Sequence, residues 1–402
     1  MRPFVLTTFF DGQPEHGGAY VHKRNMLKVC QRLNSPSVQV VVVCSNEANA
    51  TTARDLGLRT VVRNRSLLRR LWGRFVAYGA VKAALGLRLA KLPFGLDHFL
   101  HSLGTDLVLF YGDDIRVLQV LTHNYVVQVW DFCHREQPEF PEVSHAGEFE
   151  RREWINRSAL PKAVALVLDS DYGCRLVQRL YGIDASRTHS APFLVDLTVD
   201  ASAADERMQD TVRETYRLTG PYIFYPAQFW AHKNHRYILR AVRLLKDRGV
   251  AVPLIAFAGS DKGRRQAVAD LATDLGIAEY VRYCGFVPDA HMPYLYRGAV
   301  ALVMPTYFGP TNIPPMEAAA LGVPVCYSDL PAFREQMGDA AFYMDLENPA
   351  SLADELHRLM EQGVGSRAAK HAASDMIAAA GVQRHVDVLA KIVERYVAKF
   401  GS

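Results

Sequence analysis

Lys233 lies in residues 226–235 (PAQFWAHKNH), directly after an apolar run that reads as a strand. Glu317 lies in residues 304–325 (MPTYFGPTNIPPMEAAALGVPV). A lysine at a strand end can stabilise the charge that develops on a departing phosphate. In the second segment a strand ends at Pro305, a turn-rich loop follows, and Pro314-Pro315 open a short helix that stops at Gly322. Unpaired N–H groups at such a helix start suit a diphosphate. This reading puts Glu317 in the first turn, where its carboxylate can accept two sugar hydroxyls. The plainer alternatives stay open: Glu317 complementing the helix dipole for under about 1 kcal/mol, and Lys233 as a solvated surface lysine. Gly259 and Phe286 close two further strands in glycine-containing turns, suited to a flat base or to nothing beyond a turn.

These residues need a scaffold, and the apolar pattern supplies one. Near-continuous apolar runs at 4–9, 38–44, 107–111, 126–130 and 163–169 read as strands, as do 222–226, 254–259, 280–284, 301–305 and 323–328. Helical patterns lie between them, for example at 21–33, 236–248 and 266–275. Such alternation predicts α/β architecture with two Rossmann-like, doubly wound sheets, and ligands at the carboxyl ends of their strands. The chain has 402 residues, enough for two domains. The polar connector 195–219 divides it into an N-terminal domain (1–198) and a C-terminal one (219–381), with a last helix, 382–400, able to pack back on the first.

Composition narrows the class further. With 49% hydrophobic and 22% charged residues the chain is globular, and no apolar stretch is long enough to span a membrane. Residues 4–10 contain two threonines and end at Asp11-Gly12, so they read as a first strand and not a signal peptide. Six scattered cysteines without a Cys-x-x-Cys pair fit a reducing cytoplasm. A net charge of +4 does not by itself imply nucleic-acid binding.

In this order, PAQFWAHKNH, GFVP and FGPTNIPPMEAAALGVPV resemble the nucleotide-binding half of retaining glycosyltransferases of the GT-B fold, family 4, in a branch with the wording FGPTNIPP. The resemblance covers nearly the whole chain and is strongest over 222–345. It implies two Rossmann-like domains facing a cleft and a nucleotide-diphosphate sugar as co-substrate, with no other cofactor. Lys233 then matches the lysine that binds the donor diphosphate, and Glu317 the glutamate that binds the ribose. Two positions depart from the pattern. Gly309 stands where the family usually carries a second glutamate, eight residues before Glu317, and Gln228 stands in place of an arginine five residues before Lys233. Contacts to the donor sugar then fall to Pro310, Thr311 and Asn312.

In the first half, Gly17 and Gly18 match the glycine pair that lets the first loop of relatives approach phosphate or acceptor. At the end of the strand 126–130, Trp130 takes the position of a family histidine, and Asp131 keeps its aspartate. Asp131 and, three residues on, His134 are candidates to orient or deprotonate the acceptor hydroxyl; His134 can equally be a structural histidine. Asp169-Ser170-Asp171 spells the metal-binding D-x-D of a different transferase fold, but it ends a strand of the acceptor half. It is read as no metal site, and so is Asp113-Asp114.

The expected activity is metal-independent transfer of a hexose, with retention, to a hydroxyl on a glycan or lipid-linked acceptor in envelope or exopolysaccharide assembly. A nucleotide-sugar 2-epimerase on the same scaffold is one rival. A catalytically inert relative acting as an assembly subunit, suggested by Trp130, Gln228 and Gly309, is another. Residues 63–91 carry eight basic residues and no acidic one. On a helical wheel Arg69, Arg70 and Arg74 oppose an apolar half that includes Trp72, the pattern of a helix in an anionic membrane interface. A cytoplasmic enzyme held peripherally on the inner face of the membrane follows as an expectation.

Overall fold

A computed structural model describes residues 2–13, 18–63, 71, 75, 95–194, 205–309, 312–362 and 381–400. The chain forms two compact units. One comprises Met1–His134, Ala146–Leu194 and Ala380–Ser402; the other comprises Arg135–His145 and Val195–Ala379.

The first unit is built on seven strands: β1 (Phe4–Phe10), β2 (Val38–Cys44), β3 (Arg59–Val62), β4 (Leu107–Tyr111), β5 (Asn124–Gln128), β6 (Ala165–Leu168) and β7 (Thr188–Ser190). They pair in parallel in the order β3-β2-β1-β4-β5-β6-β7. Each inner strand is buried on both faces because its apolar residues alternate between two cores. Leu107, Leu109 and Tyr111 of β4 join one core, while Val108 and Phe110 join the other. The two threonines of β1 are paired where they are buried: Thr7 bonds Thr105 at 2.7 Å, and Thr8 donates to the Leu109 carbonyl at 3.0 Å. The last helix, Val382–Phe400, inserts Val388, Leu389, Ile392 and Val393 into the first of these cores.

The second unit has six strands: β8 (Tyr222–Pro226), β9 (Leu254–Ala258), β10 (Val281–Gly285), β11 (Ala301–Met304), β12 (Val325–Ser328) and β13 (Phe342–Met344). They are parallel, in the order β10-β9-β8-β11-β12-β13. Both sheets therefore reverse strand order beside their first strand, at β1/β4 and at β8/β11. Ligands of open parallel sheets bind outside the strand ends at such a reversal.

Two boundaries differ from the sequence reading. Within the polar stretch 195–219, Glu206–Thr215 is a helix whose start is capped by Asp205, and its one apolar anchor, Val212, is fully buried. One buried valine in an otherwise polar turn sequence leaves little periodicity to read. Residues Arg135–His145, placed by sequence order in the first domain, belong to the second unit.

Candidate active site

Parallel strands put the ends of β8, β9, β10 and β11 at one edge of the second sheet. After β8 the chain makes a 3₁₀ turn, Ala231–Lys233, and Asn234 then takes a left-handed conformation that starts the helix His235–Asp247. Lys233 extends its Nζ to within 3.4 Å of Asn312 Oδ1. Asn312 stands at the N-terminus of the helix Ile313–Ala320 but makes no side-chain cap. Its amide instead donates to Tyr327 Oη at 2.7 Å, and Tyr327 donates to Gln336 Oε1 at 3.1 Å. Gln336 in turn donates from Nε2 to the Asn312 carbonyl at 2.7 Å. Neutral side chains thus fix the helix start while leaving its side-chain cap position unused, an arrangement suited to an anion.

The helix begins at Ile313, one residue earlier than expected, so Glu317 lies past its first turn. That corrects the placement of Glu317 near the positive end of the dipole, whose effect fades beyond the first turn. Glu317 is held instead by the buried phenol of Tyr296, which donates to Oε2 at 2.6 Å. Gln228 accepts from Trp230 Nε1 at 3.0 Å. Gly259 adopts φ +141, and a Cβ there would sit 2.6 Å from the Ala227 carbonyl oxygen, so the β8 and β9 ends touch through a position only glycine fills. Phe286, just past β10, is 66% exposed. Gly309 has φ +149, and a Cβ would meet the Asn312 side chain at 3.2 Å. Pro310 and Thr311 lie outside the described residues.

The first unit carries a different set at the carboxyl edge of its sheet. Asp131, after β5, accepts from the Cys133 amide at 3.0 Å and from Arg152 Nη1 at 2.8 Å. Burial opposes its ionisation, but Arg152 and the Cys133 amide outweigh burial and hold the carboxyl below its ordinary range. Asp113, after β4, has longer contacts, 3.4 Å to Arg152 and 3.5 Å to Arg151. Burial dominates there, and with Asp131 nearby its carboxyl is pushed up to about 6. Asp114 caps the turn Ile115–Gln119 and grips Arg116, which also reaches Asp11 at 3.1 Å. Trp130 packs its ring against Gly112.

His134, three residues on from Asp131, is shut off from solvent. Its ring is wholly buried, bonded to Glu153 at 3.0 Å, and burial lowers its basicity. That is the environment of a packing histidine, which corrects the expectation that it reaches the ligand edge. Ser170 caps the helix Asp171–Tyr181 and donates to Asp169 at 3.1 Å, so the Asp-Ser-Asp sequence builds a helix start. Gly18 begins the helix Gly18–Leu33, whereas Gly17 lies outside the described residues. So do Arg69, Arg70, Trp72 and Arg74. Among the described residues no group of three or more His, Cys, Asp or Glu side chains could hold a metal ion. No described helix is long and apolar enough to cross a membrane.

Sequence reasoning passed over Arg152, Tyr296, Tyr327, Gln336, Glu142 and His232. Tyr327 left a usable signal, a phenol next to the last residue of the strand Val325–Ser328. Arg152 sits in EFERREWINRSA, which reads as a solvated helix face.

The helix start beside Lys233 and the loop before it fall within a recognisable sequence block. Residues 209–391 match the family of glycosyl transferases group 1. Over 190 residues the chain is 28% identical to O-antigen chain mannosyltransferase B of Escherichia coli, covering 46% of this chain and 49% of that protein. Over 238 residues it is 26% identical to the D-inositol 3-phosphate glycosyltransferase of Nocardia farcinica, covering 55% and 51%. The chain thus spans about half or less of the length of the curated relatives it matches. Solved structures share the fold along the chain. A glycosyltransferase from Rickettsia africae is 12% identical with TM-score 0.70, covering 98% of this chain and 99% of that one. Anabaena HepE, solved with UDP and glucose, is 13% identical with TM-score 0.70, covering 98% and 100%. Together these matches show the two-domain GT-B fold, with residues 209–391 similar to the glycosyl transferases group 1 family.

Proposed function

We propose that the chain is a metal-independent, retaining glycosyltransferase that moves a hexose from a nucleotide-diphosphate sugar to a hydroxyl of a glycan or lipid-linked saccharide. The observation that carries this reading is the meeting of Lys233 and Asn312 at the start of Ile313–Ala320, beside the strand-order reversal of the second sheet. Solved neighbours in complex with UDP and with UDP-glucose support a nucleotide-sugar donor. Low-identity relatives named as O-antigen mannosyltransferases support a role in surface polysaccharide assembly.

In the proposed step the bond from the sugar's anomeric carbon to the β-phosphate oxygen breaks, and its electron pair leaves with the diphosphate. The acceptor oxygen bonds to that carbon on the same face, and its proton passes to the departing phosphate oxygen. Lys233 and the N-terminus of Ile313–Ala320 stabilise the diphosphate charge as it grows. Glu317 binds the ribose and Phe286 the base, while Gln228, Gly259, Gly309 and Asn312 shape the donor loops. Asp131 orients the acceptor hydroxyl.

A panel of nucleotide sugars in EDTA, with the product anomer read by NMR, tests the activity. Retained product is expected. An isomerised donor without acceptor marks an epimerase, and binding without turnover an inert subunit; either outcome rejects the transferase. Lys233→Ala and Glu317→Ala are each expected to lower kcat/KM more than about tenfold, or roughly 1.4 kcal/mol. Attachment to an anionic membrane through residues 63–91 is part of the same proposal. Leu71 and Phe75, four apart and helical, are 53% and 44% exposed and support it. Vesicle co-sedimentation should need anionic lipid, weaken with salt and fall in an Arg69/Arg70/Arg74→Glu variant; equal recovery on neutral vesicles retires it.

A further inference from the structure

The segment Arg135–His145 leaves the first unit's sequence neighbourhood and packs within the second unit, against the two loops that the proposed function assigns to the donor. Its Glu142 carboxylate is only 8% exposed, so it needs internal partners. It finds both on one residue. The His232 amide donates to Glu142 Oε1 at 2.8 Å, and the His232 ring Nδ1 bonds the same oxygen. Burial raises the Glu142 carboxyl, but the two His232 bonds outweigh burial and hold it at about 2.

His232 is also the knot between the loops. Its carbonyl accepts from the Tyr307 amide at 2.9 Å and from Thr306 Oγ1 at 3.3 Å. Its ring stacks on Phe308, with centroids 4.1 Å apart. Phe140 closes the cluster, 5.2 Å from Tyr307 and 5.3 Å from Phe308, and Gln137 donates to the Tyr307 carbonyl at 2.8 Å. Lys233 follows His232 directly, and Gly309 follows Phe308.

We infer that Glu142 is a positioning residue for the donor site: through His232 it couples the turn carrying Lys233 to the loop 305–309, so that both hold one geometry. A leucine at 142 could fill the space, but it could not bind the amide of the residue before Lys233. Small displacements of phosphate-binding groups cost large factors in rate, about a hundredfold for 1 Å.

This inference rests on the donor-site reading, and its test separates the two. Amide hydrogen exchange is measured on the full chain without ligand, for wild type, Glu142→Ala and Glu142→Gln. UDP and GDP are then titrated into these and into Lys233→Ala. In Glu142→Ala, exchange at 230–236 and 305–309 should rise by about tenfold or more while the strands β8, β9 and β11 keep their protection. Nucleotide affinity should fall by about tenfold or more. Glu142→Gln, whose amide oxygen can accept the same two bonds, should restore both properties to within about threefold of wild type. Unchanged exchange in those loops, or a uniform loss of protection across the second unit, overturns the positioning role. Affinity lost in Lys233→Ala but kept in Glu142→Ala sinks the role of Glu142 alone. Affinity kept in Lys233→Ala sinks the donor site and the positioning role with it.

Discussion

The two sheet edges carry opposite chemistry. At the first, Asp113, Asp131 and Glu148 crowd around Arg151 and Arg152, and Asp11 and Asp114 around Arg116, so charge satisfies charge inside the protein. At the second, Asn312, Tyr327 and Gln336 hold a helix start through neutral hydrogen bonds, and Lys233 approaches an amide oxygen. A charge network keeps its geometry with nothing bound, which suits orienting a neutral hydroxyl. A helix start without a side-chain cap keeps its partial positive charge available, which suits a diphosphate.

The sharpest way to break the contrast is to spoil the neutral edge without touching its polar groups. Gly259→Val forces a side chain into a backbone carbonyl at φ +141. It should cost on the order of 3 kcal/mol and lower Tm by roughly 6–12 °C by calorimetry, with nucleotide affinity lost as the turn moves. Asp131→Asn attacks the charged edge. Arg152 keeps Glu148 at 2.9 Å, so the expected cost is about 2 kcal/mol, and turnover should fall with nucleotide affinity unchanged. Loss of nucleotide binding in that variant would mean the two edges have been assigned the wrong way round.

A subtler effect comes from Asp113, whose carboxyl rises from 3.8 to about 6 through burial. The folded protein therefore binds this proton more tightly than the unfolded chain does. Stability from this group is present below pH 3.8 and is lost as pH rises through 6. Asp113→Asn, which removes that loss, should gain Tm relative to wild type above pH 6 and gain nothing near pH 4; a pH-independent difference contradicts the burial argument. The smallest stability change belongs to Phe286→Ala. At 66% exposure it should leave stability within about 0.5 kcal/mol while weakening nucleotide binding severalfold, the signature of a stacking surface outside the core.

Most of the sheet architecture was legible because inner strands buried on both faces must be apolar throughout. VVVV in β2 and LVLFY in β4 have few other readings. The strands that escaped are β3, β7 and β13, with sequences RTVV, THS and FYM. All three are edge strands of three or four residues, and an edge is relieved of the two-sided burial that makes the pattern visible. In the site, Lys233 and Asn312 were legible from motif wording, and the structure brings them together. His134 was not resolved by sequence, because burial, which turns it into a packing group, depends on Glu153 and Tyr181, far along the chain. Glu142 lay hidden for a related reason: its partner His232 is 90 residues away, and no local pattern announces such a bond.

Calorimetric titration of the full chain with UDP and GDP in EDTA, wild type against Lys233→Ala, tests the donor-site assignment most directly. Wild type should bind at least one of the two nucleotides without divalent cations, and Lys233→Ala should weaken that binding by more than about tenfold at unchanged Tm. Equal affinity in both proteins, or binding only when a divalent cation is restored, contradicts a metal-independent site built on Lys233 and the start of Ile313–Ala320.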